Sequence, residues 1–389
     1  MQGQPQAVLY HADCRAMPEL ADASVDLVVT SPPYWLIKDY GSTGQIGFGQ
    51  SLHEYLRDLA RVWTECRRVL HEGGRLCVNI GDQFARASLF GRYHVIPLHA
   101  EITCQCAEAG FDCMGSIIWR KKTTLNTSGG AVVMGSYPYP PNGVVEIDFE
   151  YILLFRKPGT PRRPAAHARA AAALTRDEWK SWFSGHWEIG GARKKGHDAP
   201  FPEEIPRRLI RMFSFPGDLV LDPFLGTGTT ARVALSLGRR AAGYEISREY
   251  LQAARDQAGL FQEQLDVIAP ERPAGGASTP DPGISAPRLP DLAAPPPAAS
   301  PKPTPRLHTV RSIEPDCRLV LDTGDVVGFL GIEIRDVEAA RAYLAERVLR
   351  KRVFLRDQEG SDARVILKNR ISVNAQLVKS GAAREASRR

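Results

Sequence analysis

Two short stretches carry residue types that can do chemistry. The first is Ser31-Pro32-Pro33-Tyr34, which follows the apolar run Val25 to Val29. Two prolines fix φ and remove two N–H donors, so the chain leaves its strand in a stiff turn that presents a hydroxyl, carbonyls and an aromatic face. Such groups suit a planar base, with hydrogen bonds to an exocyclic amino group and stacking on the ring. The same residues would also serve as a proline-stiffened loop around a core tyrosine. The second stretch is Leu219 to Thr230, LVLDPFLGTGTT, where an apolar strand runs into a glycine-rich turn that opens a helix. Gly226 and Gly228 let backbone approach a ligand closely, and the helix start at Thr229 offers unpaired N–H groups. Glu245 stands 19 residues after Gly226, at the end of the next apolar strand, where a carboxylate can accept from ribose hydroxyls. The pair reads as a site for an adenosine-containing cofactor. Gly226-x-Gly228-x-x-Ala231 also satisfies a dinucleotide fingerprint, although it lies more than 200 residues into the chain, behind another strand-and-turn site. No Gly-Lys-Ser/Thr follows, which excludes a Walker-type phosphate loop.

These stretches need a frame that brings strand ends together. Short apolar runs alternating with helical patterns predict an α/β fold, a doubly wound and mostly parallel sheet. Predicted strands are 7–11, 25–29, 75–80, 113–119, 150–155, 219–221 and 241–244, with helices at 94–109, 201–213, 230–237 and 248–265. Between Pro270 and Pro305, 12 of the 29 prolines fall in one segment, which reads as a semi-rigid linker. It separates residues 1–269 from a tail, 306–389, that carries 17 Lys+Arg against 12 Asp+Glu and hence most of the net charge of +6. A basic tail fits either a polyanion partner or a solvated surface. The 43% apolar content excludes a disordered chain, and no run approaches the ~18 apolar residues of a membrane span. Met1 to Tyr10 lacks a signal-peptide pattern, so a cytoplasmic protein is expected. The seven scattered cysteines fit reduced core thiols, with no metal.

Taken together, the two motifs resemble those of the amino-methylating DNA methyltransferases. The catalytic motif [DNS]-P-P-[YF] of that family stands here as Ser31-Pro32-Pro33-Tyr34, and its cofactor motif F-x-G-x-G as Phe224-Leu225-Gly226-Thr227-Gly228. Catalytic motif first and cofactor motif second is the order of the permuted β group. Further matches are His11-Ala12-Asp13-Cys14, Asn79-Ile80-Gly81-Asp82 and the stretch from Gly196 to Pro202, so the resemblance spans about residues 7–265. It implies S-adenosyl-L-methionine as cofactor, lying over Phe224, Gly226, Gly228 and Thr229, with Asp222 near the methionine ammonium, Glu245 on the ribose and Asp13 on the adenine amine. The substrate it implies is double-stranded DNA, from which a flipped base would enter beside Ser31, Pro32, Pro33 and Tyr34.

Serine at the first motif position accompanies cytosine-N4 methylation in that family, whereas aspartate accompanies adenine-N6 methylation. The expectation is therefore a cytosine-N4 enzyme, with adenine N6 as the alternative. A nicotinamide oxidoreductase would leave Ser31 to Tyr34 idle, and a catalytically silent DNA-binding protein would place the function in the tail. DNA contacts are expected from Arg120, Lys121 and Lys122 and from Arg193, Lys194 and Lys195, with a target-recognition region at about 157–195. For Trp182 and Trp187 core packing is expected. The resemblance is compatible with a homodimer and with a cognate restriction endonuclease as partner, neither of which the sequence itself shows. The tail, over 318–383, looks like the staphylococcal-nuclease-like OB fold. Gly328 stands where the nuclease pattern has an arginine, and Ile334-Arg335-Asp336 replaces its Thr-Pro-Glu, so an active calcium nuclease is not expected.

Overall fold

In the computed structural model the described residues are 7–36, 44–85, 90–122, 145–190, 202–257, 265–268, 283–293, 307–367 and 371–386. The chain divides into two compact units, 1–296 and 297–389. Along the first unit run β1 (Ala7–Tyr10), β2 (Val25–Thr30), α1 (Leu52–Val69), β3 (Leu70–Ile80), a hairpin of β4 (Gln83–Ala85) and β5 (His94–Ile96), α2 (Leu98–Glu108), β6 (Asp112–Lys122) and β7 (Phe149–Arg156). There follow α3 (Ala166–Ala171), α4 (Arg176–Trp182), β8 (His186–Gly190), α5 (Glu204–Phe213), β9 (Leu219–Asp222), α6 (Thr229–Ser236), β10 (Arg240–Tyr244), α7 (Arg248–Gln257) and β11 (Leu265–Ile268).

Nine of these strands form one sheet in the order β11-β1-β10-β9-β2-β3-β7-β6-β8. Only the β3–β7 and β6–β7 pairings are antiparallel, so β7 alone is reversed. The sheet is buried on both faces, which is why its strands read as continuous apolar runs. Along β2 successive residues serve different cores: Val28 packs with α1 and α2 residues, while Leu27 and Val29 pack with those of α5 and α6. The parallel strands β1, β10, β9, β2 and β3 therefore all end on one edge.

Several elements depart from the sequence expectation. Helix α2 begins at Leu98 rather than residue 94, because Pro97 stands at its N-cap and the residues before it pair as β5. Helix α7 is described over Arg248–Gln257, and Leu265, the expected helix end, opens Leu265–Ile268, which pairs parallel to β1 at the end of the sheet. Helix α1 is absent from the expectation although Ser51-x-x-Glu54 is a capping box, with both reciprocal bonds formed. The region expected to recognise the target, 157–195, is described to residue 190. Much of it is framework: Lys157 Nζ donates to Leu70 O at 2.6 Å, and β8 extends the sheet beside β6. Trp182 and Trp187, 5% and 1% exposed, are core residues, with Arg208 stacked over both.

The linker expectation is corrected most. Within 270–305, residues 283–293 lie on the first unit as a strap. Leu289 and Leu292 pack on the α1–α2 core. Leu292 O accepts from Leu52 N at 2.9 Å and the Asp291 carboxylate from His53 N at 2.9 Å, so the strap satisfies two open N–H groups in the first turn of α1. Arg288 pairs with Glu108 and stands 3.6 Å from Glu101. Proline richness predicts an extended backbone, and an extended backbone leaves its side chains and carbonyls free to dock.

The second unit holds β12 (Leu307–Ile313), β13 (Leu319–Leu321), β14 (Val326–Phe329), β15 (Ile332–Ile334), α8 (Val337–Arg347), β16 (Arg352–Glu359), β17 (Asp362–Leu367), α9 (Val373–Lys379) and β18 (Ala383–Glu385). Five strands close a barrel in the order β12-β13-β14-β17-β16. A Cβ on Gly328 would overlap the Asp362 carboxylate, so a side chain where the nuclease pattern places arginine would require Asp362 to turn away.

The strap yields a test. Replacing both Leu289 and Leu292 by alanine should lower the stability of the first unit by about 1–3 kcal/mol, since both leucines are half-buried. Chemical denaturation should show the loss in the transition of the first unit alone, with that of the barrel unchanged.

Candidate active site

At the edge where the parallel strands end, β2 delivers Thr30 and then Ser31-Pro32-Pro33-Tyr34, while neighbouring β9 delivers Asp222 and the glycine turn. The two are joined by a buried hydrogen bond, Thr30 Oγ1 to Asp222 Oδ1 at 2.7 Å. The same carboxylate oxygen accepts from Phe224 N at 3.1 Å, which fixes the start of the turn. Asp222 is 2% exposed, and burial pushes its carboxyl up to about 6 against the opposing Thr30 bond.

Gly226 and Gly228 are both left-handed, with φ of 53° and 81°, but for different reasons. A Cβ on Gly226 would meet no atom within 4 Å, so the turn opens onto free space there. On Gly228 it would stand 2.9 Å from Ala254 Cβ, so that glycine lets α7 pack against the head of α6. The α6 N-cap is Gly228 itself, which brings no side-chain hydrogen bond to the helix start at Thr229.

Glu245 follows β10. Its carboxylate accepts from Gly226 N at 2.9 Å and Ser247 N at 2.8 Å, and its own N–H donates to Tyr10 O at 3.0 Å. The glycine turn, the β10 end and the β1 end are thereby one unit. Burial pushes the Glu245 carboxyl up to about 7, opposed by the Ser247 and Gly226 amides. Beyond β1, His11 Nε2 lies 3.1 Å from Ile246 O. Asp13 takes Arg15 on both oxygens, and Arg15 reaches on to Asp58 at 2.5 Å. The Asp13–Arg15–Asp58 chain is not visible in the sequence, since its third member is 43 residues from the second.

The catalytic turn is held from outside as well. Tyr55 on α1 donates its hydroxyl to Pro33 O at 2.9 Å, and Trp35 Nε1 donates to Gln50 O at 2.9 Å. Tyr34 donates its hydroxyl to Glu150, a carboxylate at the start of β7 that is only 4% exposed. Glu150 also accepts from Asn79 Nδ2 at 2.6 Å and pairs with the Lys121 ammonium. A buried carboxylate is costly unless hydrogen-bond donors or a cation meet it. Lys121 is held on Glu150 with 30% of its side chain exposed. Arg120 is 63% exposed and stands 3.4 Å from Asp148. Lys122 is placed by its backbone on β6, opposite Gly190 on β8. Arg193, Lys194 and Lys195 lie outside the described residues, as does most of the stretch from Gly196 to Pro202. Asp82, after β3, is bound by His99 Nδ1 at 2.8 Å, and the His99 ring stacks on Tyr151 at 3.8 Å.

The Ser31–Tyr34 turn and the glycine turn thus share one wall. The N6/N4 DNA methylase family model matches residues 25–256. The chain belongs to that family. It is 38% identical over 285 residues to the type II methyltransferase M.MjaI of Methanocaldococcus jannaschii, covering 66% of this chain and 92% of that one. To M.MthZI of Methanothermobacter thermautotrophicus it is 34% identical, covering 62% and 73%. A putative DNA modification methylase of Thermus thermophilus, solved in complex with S-adenosyl-L-methionine, matches with 38% identity and a TM-score of 0.55, over 68% of this chain and 99% of its own. The DNA methyltransferase uses S-adenosyl-L-methionine, and the site suits it: open space over Gly226 admits the ligand, and Glu245 presents acceptor oxygens beside it.

The methyltransferase makes two testable demands. Below pH ~7 Glu245 holds a proton, which as a ribose ligand it would have to lose before both oxygens could accept. Cofactor affinity measured calorimetrically should therefore rise with pH, by up to about tenfold per unit, and level off above about 7. Glu245→Gln should bind weakly and lose the step near pH 7, with only that of Asp222 near 6 remaining. Replacing Glu150 by glutamine strands the Lys121 ammonium and loosens Tyr34; kcat should fall by roughly 10–100-fold while cofactor affinity holds.

Proposed function

We propose that this enzyme methylates the exocyclic N4 of cytosine in double-stranded DNA, on a base flipped out of the duplex against Ser31–Tyr34. The observation that carries the reading is the 2.7 Å Thr30–Asp222 bond, which sets the Ser-Pro-Pro-Tyr turn beside the cofactor turn. Bound S-adenosyl-L-methionine supplies an activated methyl group open to direct in-line displacement. The protein's task is the nucleophile. An exocyclic amine is poor because its lone pair is delocalised into the ring, so the site must make nitrogen more tetrahedral and aim it. The Ser31 hydroxyl and the Pro32 carbonyl accept the two amine hydrogens. Pro33 keeps the turn stiff, and Tyr34, its hydroxyl anchored on Glu150, offers its ring for stacking. Positioning and hydrogen bonding provide most of the acceleration.

On the cofactor side, Glu245 takes the ribose, Phe224 and the Gly226–Thr229 turn lie beneath, and Asp222 acts through the Thr30 and Phe224 bonds with its remaining oxygen towards the ammonium. Asp13, held by Arg15, faces the adenine side. Ser31 supports cytosine as the target, because an uncharged hydroxyl stands where the adenine enzymes of the family carry a carboxylate. Similarity to M.MjaI supports a role as the modification half of a type II restriction-modification pair. The barrel is read as an OB fold, supported by its strand order and the parallel pairing of β14 with β17.

Labelled methyl transfer to unmodified genomic DNA, followed by nucleoside mass spectrometry, tests the reading. Label in N4-methylcytosine is the expected result, and label in N6-methyladenine would overturn the base assignment. Ser31→Ala should lower kcat by roughly 10²–10³-fold with cofactor affinity unchanged, the size seen when one polar contact to a reacting group is removed.

A further inference from the structure

One face of the C-terminal barrel is unlike the rest of it. On β16 the side chains alternate: Val353 is buried, Arg352 and Arg356 are exposed, and Phe354 lies between them half-buried. On β17 Ala363 and Val365 are buried, Arg364 is exposed and Ile366 is half-buried. The register puts Leu307, Phe354 and Ile366 in one row across β12, β16 and β17, with Arg352 on one side of that row and the Arg356–Arg364 pair on the other. None of the three apolar side chains is among those packed on the barrel core. They form an outward apolar ridge flanked by guanidinium groups.

Among the described residues, most of the charge on this face has no ion-pair partner. Like charges directly opposite on neighbouring strands destabilise a sheet, and Arg356 stands directly opposite Arg364. Arg364 has one exposed carboxylate, Asp357, at 3.6 Å. Among the described residues no ion pair involves Arg352 or Arg356, nor the exposed Arg350 and Lys351 that precede them. Arg352 and Arg356 are four residues apart on a strand, roughly 13 Å, so a single carboxylate cannot answer both. A repeating anion can.

We propose that this face of the barrel binds the phosphodiester backbone of duplex DNA. Arg352, Arg356 and Arg364 meet phosphates, and the Phe354 ridge lies against deoxyribose. The surface gives the methyltransferase a second, sequence-independent hold on its substrate, distinct from the site that does the chemistry. The proposal uses only the family's DNA substrate and is independent of which base is methylated.

The test uses the full-length chain carrying Arg352→Gln and Arg356→Gln, with affinity for an unmodified duplex followed by anisotropy over a potassium chloride series. The slope of log K against log salt should fall in magnitude by about two, with affinity weakened roughly 10–100-fold near 0.1 M salt. At saturating DNA, kcat should be unchanged. The double Arg→Lys variant should keep the native slope, which a merely structural role for the guanidinium groups would not predict. Unchanged affinity and slope in the glutamine variant would overturn the proposal and leave an acidic protein surface as the occupant. A slope change in a protein that methylates adenine, or nothing, would overturn the catalytic reading while leaving this surface standing.

Discussion

The active site depends on one buried hydrogen bond. Thr30 and Asp222 come from strands 192 residues apart in sequence, and their 2.7 Å contact joins the strand that carries the catalytic turn to the strand that carries the cofactor turn. Burial makes the bond matter: with Asp222 at 2% exposure, losing its Thr30 partner would remove one of the few donors that offset the desolvation of its carboxylate. The same Asp222 oxygen fixes the amide of Phe224, so the glycine turn is referenced to the catalytic strand through a single atom. Glu245 performs the matching service one strand further on, binding Gly226 and Ser247 and meeting the β1 end through Tyr10.

The second constraint is electrostatic. Glu150 is a carboxylate at the heart of a wide sheet, and it is tolerated because three donors meet it: the Tyr34 hydroxyl, the Asn79 amide and the Lys121 ammonium. The cluster turns a buried charge into an orientation device for the aromatic ring on which a target base would rest. From the other side, Tyr55 on α1 holds Pro33, and the first turn of α1 is in turn closed by the strap at Asp291 and Leu292. A segment far along the chain is thus connected, through one helix, to the catalytic turn.

What could be read in the sequence was local. Ser31 to Tyr34, the glycine turn and Glu245 announce themselves because strand, turn and helix start are contiguous and the glycines have positive φ. The mostly parallel sheet follows from the same alternation. What could not be read was pairing across distance. Glu150 meets Tyr34 from 116 residues away, and Arg15 meets Asp58 from 43. Lys121 looks like a surface cation within Arg120-Lys121-Lys122 because nothing local shows that its ammonium meets Glu150, 29 residues further along the chain. The strap was hidden by composition: proline density predicts stiffness, whereas Leu289 and Leu292 decide docking. Helix α1 was legible in its capping box, and the barrel strand β12 escaped notice at the border of the proline-rich segment.

The most direct measurement of the central claim is a double-mutant cycle on Thr30→Val and Asp222→Ala, read as kcat/KM for methyl transfer. If the bond between strand ends is what sets the two turns in register, the effects must be strongly non-additive. The double variant should then be no slower than the slower single variant, with a coupling of about 1–3 kcal/mol. Effects that simply multiply would show that the two residues act independently, and would contradict the account of one shared wall.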